Sequence, residues 1–199
     1  MKIAVLGWGS LVYDPRQLRI NKSIGNNGWC EDGPRLPIEF ARISHNKRLT
    51  LIVFPEADLI NTYWAESLDT ELMVAMENLR DREGMPTVDR IGFVDLISVT
   101  RSAFSSHDDL QRIESWAHEK SFDSVIWTGL KSNFRDQTEG LFNERRSFTL
   151  ENIKWYVSNL NKAELERALT YVIDAPKATK TKYRNIIKGY IEEKLNEQI

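Results

Sequence analysis

The chain has 199 residues, 41% of them hydrophobic and 28% charged, with 27 Lys and Arg against 29 Asp and Glu and a net charge of −2. That composition excludes a disordered, collagen-like or low-complexity chain, and its near-neutral balance gives no general drive toward nucleic acid or anionic lipid. A single cysteine, Cys30, excludes an intrachain disulfide and a four-cysteine zinc site, and makes the reducing cytoplasm the expected location.

Lys2 to Leu6 reads as a buried strand, stopped by the turn Gly7-Trp8-Gly9-Ser10. The apolar run is too short for a signal peptide, and no run of about 18 apolar residues predicts a transmembrane helix, so no membrane association is expected. Residues 14–35, with Pro15, Gly25, Gly28, Gly33 and Pro34, read as loop. Strands follow at Ile38 to Ser44 and Leu49 to Phe54, joined as a hairpin through His45-Asn46-Lys47, with another at Thr62 to Leu68. Asp69 or Thr70 caps a helix running to Arg82 or Glu83, with Gly84 as its C-cap and Pro86 just beyond. Ile91 to Thr100 is a further strand, Ser105 or Ser106 caps a helix through Lys120, and Ser124 to Leu130 returns to a strand. From Leu150 the pattern is helical over 150–160, 162–173 and about 179–197. The expectation is an α+β domain over residues 1–148 with a helical C-terminal extension over 149–199.

Two features carry candidate chemistry. Two glycines one residue apart after a buried strand let the backbone N–H groups of Gly9, Ser10 and Leu11 face a common space, a nest suited to a carboxylate or developing oxyanion. A dinucleotide fingerprint is the rival reading, but Val12 stands where the third glycine belongs and Pro15 interrupts the helix that should follow. The second feature is Glu83. Leu72, Met76 and Leu79 mark the core face of the predicted helix, and Glu83 is the next member of that series. Burial and the helix C-terminus both push a carboxyl there upward in pKa, toward the range of a general acid/base; pairing with Arg80 or Arg82 at the surface is the competing fate.

Gly7-Trp8-Gly9-Ser10-Leu11 resembles the Tyr-Gly-Ser-Leu loop after the first strand of gamma-glutamylcyclotransferase-like proteins, including the ChaC branch, and Leu79 to Gly84 is similar to the segment carrying their catalytic glutamate. Phe40, Ser44, the strand 49–54 and Tyr63-Trp64-Ala65 follow in the family's order, so the resemblance covers about residues 2–130. It implies a mixed, mostly antiparallel small β-barrel or curved sheet with flanking helices. It also implies cyclisation of a gamma-glutamyl compound to 5-oxoproline with release of an amine, Glu83 serving as general acid/base. Trp8, Gly9, Ser10, Leu11 and Arg42 would bind substrate, Arg42 because alternation puts it on one face with Phe40 and Ser44. No metal or organic cofactor is needed for such an intramolecular reaction. This chain departs from the family in Trp8 for Tyr, in Ala65 where Gly usually follows Trp, in lacking a Tyr after Glu83, and in its helices beyond 150.

Alternatives from other classes are a catalytically silent protein binding a small amino-acid-like or nucleotide-like ligand, with Trp8 as a flat apolar wall, and an interaction module acting through the C-terminal helices. His45, His107 and His118 have no metal-ligand spacing, and no Gly-x-Ser-x-Gly motif supports a serine nucleophile. The basic run from Lys177 to Lys188 reads as the solvated side of a packed helix, so nucleic acid is not an expected partner.

Overall fold

The computed structural model describes residues 1–102 and 105–197, an α+β chain that forms two compact units. The first unit comprises Met1–Leu36 with Leu59–Leu130, the second Pro37–Asp58 with the chain from Lys131 onward. This division differs from the expected boundary at 148: the hairpin 37–58 and the segment 131–148 belong with the C-terminal helices, whose last two residues lie outside the described residues. No described helix is long and apolar enough to cross a membrane.

In the first unit the apolar run β1 (Ile3–Gly7) is buried at every position because it occupies the interior of a five-stranded sheet. It pairs antiparallel with β5 (Tyr63–Glu66), Val5 opposite Ala65, and parallel with β8 (Ser124–Thr128), Val5 opposite Ile126. On the far side of β8, β6 (Ile91–Asp95) runs antiparallel, followed by the two-residue β7 (Thr100–Arg101). The sheet is mixed, as expected, and it is open, with β5 and β7 as its ends, so of the two expected forms, barrel or sheet, it is not the closed barrel. What satisfies the outer edge of β5 is loop backbone. Cys30 N–H donates to the Trp64 carbonyl at 2.9 Å and Trp64 N–H to the Cys30 carbonyl at 3.0 Å, while Asn21 and Gly33 N–H reach Glu66 and Thr62. A covered edge needs no barrel partner. The short β4 (Leu59–Asn61) precedes β5, and Arg35 Nη2 donates to its Leu59 carbonyl at 2.8 Å.

The predicted strand over 91–100 breaks in two. The Asp95 carboxylate accepts from Ile97 N–H at 3.1 Å and from Ser98 Oγ at 2.5 Å, turning the chain back on itself. Helix α2 (Leu72–Glu83) begins later than the predicted cap, because the Asp69 carboxylate is engaged by Arg19 at 3.0 Å. It ends where expected, at Gly84 in the left-handed conformation (φ 65°), with Met85 N–H returning to the Arg80 carbonyl. Helix α3 (His107–Glu119) starts at Ser106, whose Oγ accepts from Asp109 N–H at 3.1 Å. Trp64, Trp116 and Phe122 form an aromatic cluster with ring centroids 5.2–5.8 Å apart.

The second unit is built on the antiparallel hairpin of β2 (Arg35–Ile43, its first two residues counted in the first unit) and β3 (Leu49–Val53). Four helices complete it: α4 (Phe134–Phe142), α5 (Leu150–Ser158), α6 (Lys162–Asp174) and α7 (Arg184–Asn196). Hydrogen bonds explain why the hairpin goes with them. Asn133 extends the edge of β2, its side chain accepting from Ile43 N–H and donating to the Ile43 carbonyl, both at 2.9 Å. Tyr156 Oη donates to the Lys47 carbonyl at 2.8 Å, and Lys47 Nζ lies 2.7 Å from Glu164. Glu164 also closes a capping box with Asn161 at the start of α6. The last helix begins at Arg184 rather than near 179. The guanidinium of Arg184 donates to five carbonyls between Val172 and Thr179, holding that stretch as a turn.

Gly92 and Gly140 give opposite expectations. A Cβ on Gly92 would lie 2.2 Å from the ring of Trp127, which is 1% exposed, so Gly92→Ala should lower stability by about 3 kcal/mol. Gly140 sits inside α4 with nothing within 4 Å of a Cβ, so Gly140→Ala should raise it by about 0.5–1 kcal/mol. Urea unfolding of the two variants checks both signs.

Candidate active site

The loop after β1 is a tight turn closing on one helical turn. Gly9 precedes α1 (Ser10–Tyr13), Val12 N–H donates to the Gly9 carbonyl at 3.0 Å, and Asp14 N–H to the Ser10 carbonyl at 2.8 Å. The amides of Ser10 and Leu11, first in that turn, have no acceptor within it. Trp8 and Leu11 are buried at 5% and 4% exposure, so both pack in the core, and Ser10 is half-buried.

The core stripe of α2 is Ala75, Met76, Leu79 and Arg82; Leu72 is only half-buried. The guanidinium of Arg82 therefore lies inside the unit, its side chain 3% exposed. Its Nη1 donates to Glu83 Oε1 at 2.7 Å, and its Nη2 to the Asp14 carbonyl at 2.5 Å, with Ser10 Oγ at 3.5 Å. Its Nε has no partner among the described residues. Arg82 thus ties the end of α2 to the loop carrying Ser10. Its pairing with Glu83 is the competing fate read from the sequence; its burial and its reach to the loop were not expected, although the spacing 75, 79, 82 is itself a helical core stripe.

Glu83, the last residue of α2, has a side chain only 18% exposed. Burial raises its carboxyl above the ordinary value of 4.5, partly opposed by the neighbouring Arg82 and, more weakly, Arg16. Oε1 is occupied by Arg82, and Oε2 has no protein partner among the described residues. Arg80, the other predicted partner, turns away to Asp81 at 2.6 Å. The chemical capacity of this arrangement is proton exchange at one oxygen of a shielded carboxyl, within a cluster that includes Ser10.

Of the sequence-predicted residues, Glu83 and Ser10 meet through Arg82, with Gly9 and Leu11 contiguous with Ser10 in the loop. Arg42 belongs to the second unit, where its Nη1 donates to the Lys131 carbonyl at 2.8 Å. Among the described residues no group of three His, Cys, Asp or Glu side chains gathers as a metal site. Near Cys30, Lys120 and the Trp64 indole hold the Asp32 carboxylate below its usual range, and burial raises the Cys30 thiol. No family model, curated protein or solved structure matches the chain.

The raised Glu83 carboxyl has a signed consequence for stability. Below the unfolded value, near pH 4.5, both states hold the proton; as pH rises through the raised folded value, ionisation is penalised only in the folded chain. Glu83→Gln keeps an oxygen for Arg82 and removes that penalty. Its melting temperature relative to the unsubstituted chain should rise from pH 4 to pH 7, as read by circular dichroism. Arg82→Ala strands the buried carboxyl and should cost about 3 kcal/mol at neutral pH.

Proposed function

We propose that the chain is a gamma-glutamylcyclotransferase-type enzyme, with a fold of that kind in its first unit, acting on a small gamma-glutamyl amino acid, gamma-glutamyl amine or glutathione in the cytoplasm. The observation that carries this reading is Glu83: a shielded carboxyl of raised pKa at a helix end, joined through Arg82 to Ser10 of the loop after β1.

In the proposed reaction the substrate's α-amine attacks its own gamma-carbonyl carbon. Glu83 Oε2 takes a proton from that amine as the new C–N bond forms. The gamma-amide C–N bond then breaks, and Glu83 returns the proton to the departing nitrogen, giving 5-oxoproline and a free amine. Because both reacting groups belong to one molecule, the protein's work is to hold a folded substrate conformation and move one proton. The first amides of α1, at Ser10 and Leu11, would meet the charge developing on the carbonyl oxygen. Arg82 opposes the effect of burial on Glu83, whose carboxyl nevertheless stays above its ordinary value.

The closeness of that ion pair also favours a second reading, a silent relative that binds an amino-acid-like ligand in the same place. A panel of gamma-glutamyl compounds with 5-oxoproline read by mass spectrometry separates the two. The expected result is product from at least one compound and a loss of about 10²–10⁴-fold in turnover for Glu83→Gln. Turnover unchanged in Glu83→Gln removes Glu83 from the chemistry. Folded protein that is stabilised by a compound without converting it establishes the binding reading.

A further inference from the structure

The second unit contains a groove of about 400 Å³ where the chain passes from α6 to α7, remote in sequence from Glu83 and independent of the reading above. Its polar lining is Lys177, Lys180, Thr181, Arg184, Asn185 and Lys188, with Val172 and Ile173 as its apolar part and no carboxylate among the lining residues. Over residues 174–188 the chain carries five cations, Lys182 being the fifth, against Asp174 alone.

Like charges around a concave surface repel one another and focus a positive potential into it, a cost that a bound anion offsets. Protein carboxylates do not meet that need here. Lys177 and Lys180 have no ion-pair partner among the described residues, and Lys188 reaches only Glu192, at 3.5 Å on the exposed face of α7. The groove is also held in shape before any ligand arrives. Arg184 uses its donors on the five carbonyls of the α6 end and the following turn. From the other side, the buried Glu39 carboxylate on β2 accepts from Thr181 Oγ1 at 2.6 Å and from Tyr183 N–H at 3.0 Å. Arg184 therefore frames the groove, and the ammonium groups of Lys177, Lys180 and Lys188 with the Asn185 amide are left to meet a ligand. Several ammonium groups on a fixed turn suit the spread oxygens of a phosphate, and the volume is that of a small-molecule site rather than a long nucleic-acid track.

We propose that this groove binds a small phosphate-bearing anion. The test is calorimetric titration of the full chain at low ionic strength with inorganic pyrophosphate, with ADP, and with a short single-stranded oligonucleotide. The combined variant Lys177→Gln/Lys180→Gln/Lys188→Gln is compared with the control Lys22→Gln/Lys162→Gln, both exposed lysines elsewhere, and thermal melts verify that each folds. The expected result is saturable one-site binding of pyrophosphate or ADP, weakened about tenfold or more in the groove variant and within about twofold in the control. Tighter binding of ADP than of pyrophosphate identifies a nucleotide as the source of the phosphate, and equal affinity identifies the phosphate group alone. No saturable binding of either, equal weakening in both variants, or binding of the oligonucleotide alone overturns the proposal.

Discussion

A guanidinium with almost no exposure to water organises the first unit. Arg82 is tolerated inside because its donors find the Glu83 carboxylate and the Asp14 carbonyl, with Ser10 Oγ at the limit of reach. Those partners belong to two segments far apart in sequence, so satisfying one side chain fixes the end of α2 against the turn after β1. A cation in the last turn of a helix is also favoured by the helix dipole, which disfavours the neighbouring Glu83. The pair is thus asymmetric. Arg82 sits where the field suits it, and Glu83 is held in place against burial and dipole by its partner.

The second unit uses the same device with the signs exchanged. Glu39 is buried to 2% exposure, and burial raises its carboxyl, a rise eased by the Thr181 hydroxyl and the N–H groups of Phe40 and Tyr183. Thr181 and Tyr183 thereby anchor a turn with no regular structure of its own to the rigid strand β2. Arg184 fixes the preceding stretch by collecting carbonyls at the C-terminal end of α6, where a cation is again favoured. Each unit therefore settles an irregular connection by giving a buried charge to backbone groups that would otherwise lack partners.

Elements with a local signal were legible in the sequence. The apolar run of β1, the Ser106 cap and the Gly84 stop each depend on a few adjacent residues, and each stands where its pattern places it. The choice between a barrel and an open sheet was not legible, because β5 is covered by main-chain bonds from Asn21, Cys30 and Gly33, and backbone pairing leaves no side-chain pattern. The division into units was hidden for a related reason. It rests on Asn133, Tyr156 and Thr181 reaching back by about ninety residues or more to the hairpin. At the site, Glu83 and Ser10 were visible as types in suggestive places. Arg82 was legible as a partner for Glu83, but its reach to the loop was masked by the habit of assigning arginines near a helix end to solvent.

Arg82 also bears on whether Glu83 can be chemical rather than only structural. A carboxylate in a bidentate pair has neither oxygen clear of the guanidinium, but here Arg82 takes Oε1 alone. Desolvation and the guanidinium then act on Oε2 in opposite directions, one making it a stronger base, the other keeping it ionised. A group that must take a proton and return it within one turnover is served by that opposition. Burial without a counter-charge would leave the carboxyl protonated, whereas a fully engaged ion pair would leave it too weak a base to accept the proton. At the end of α2 both influences act on Glu83, and burial is the larger, so its carboxyl is raised.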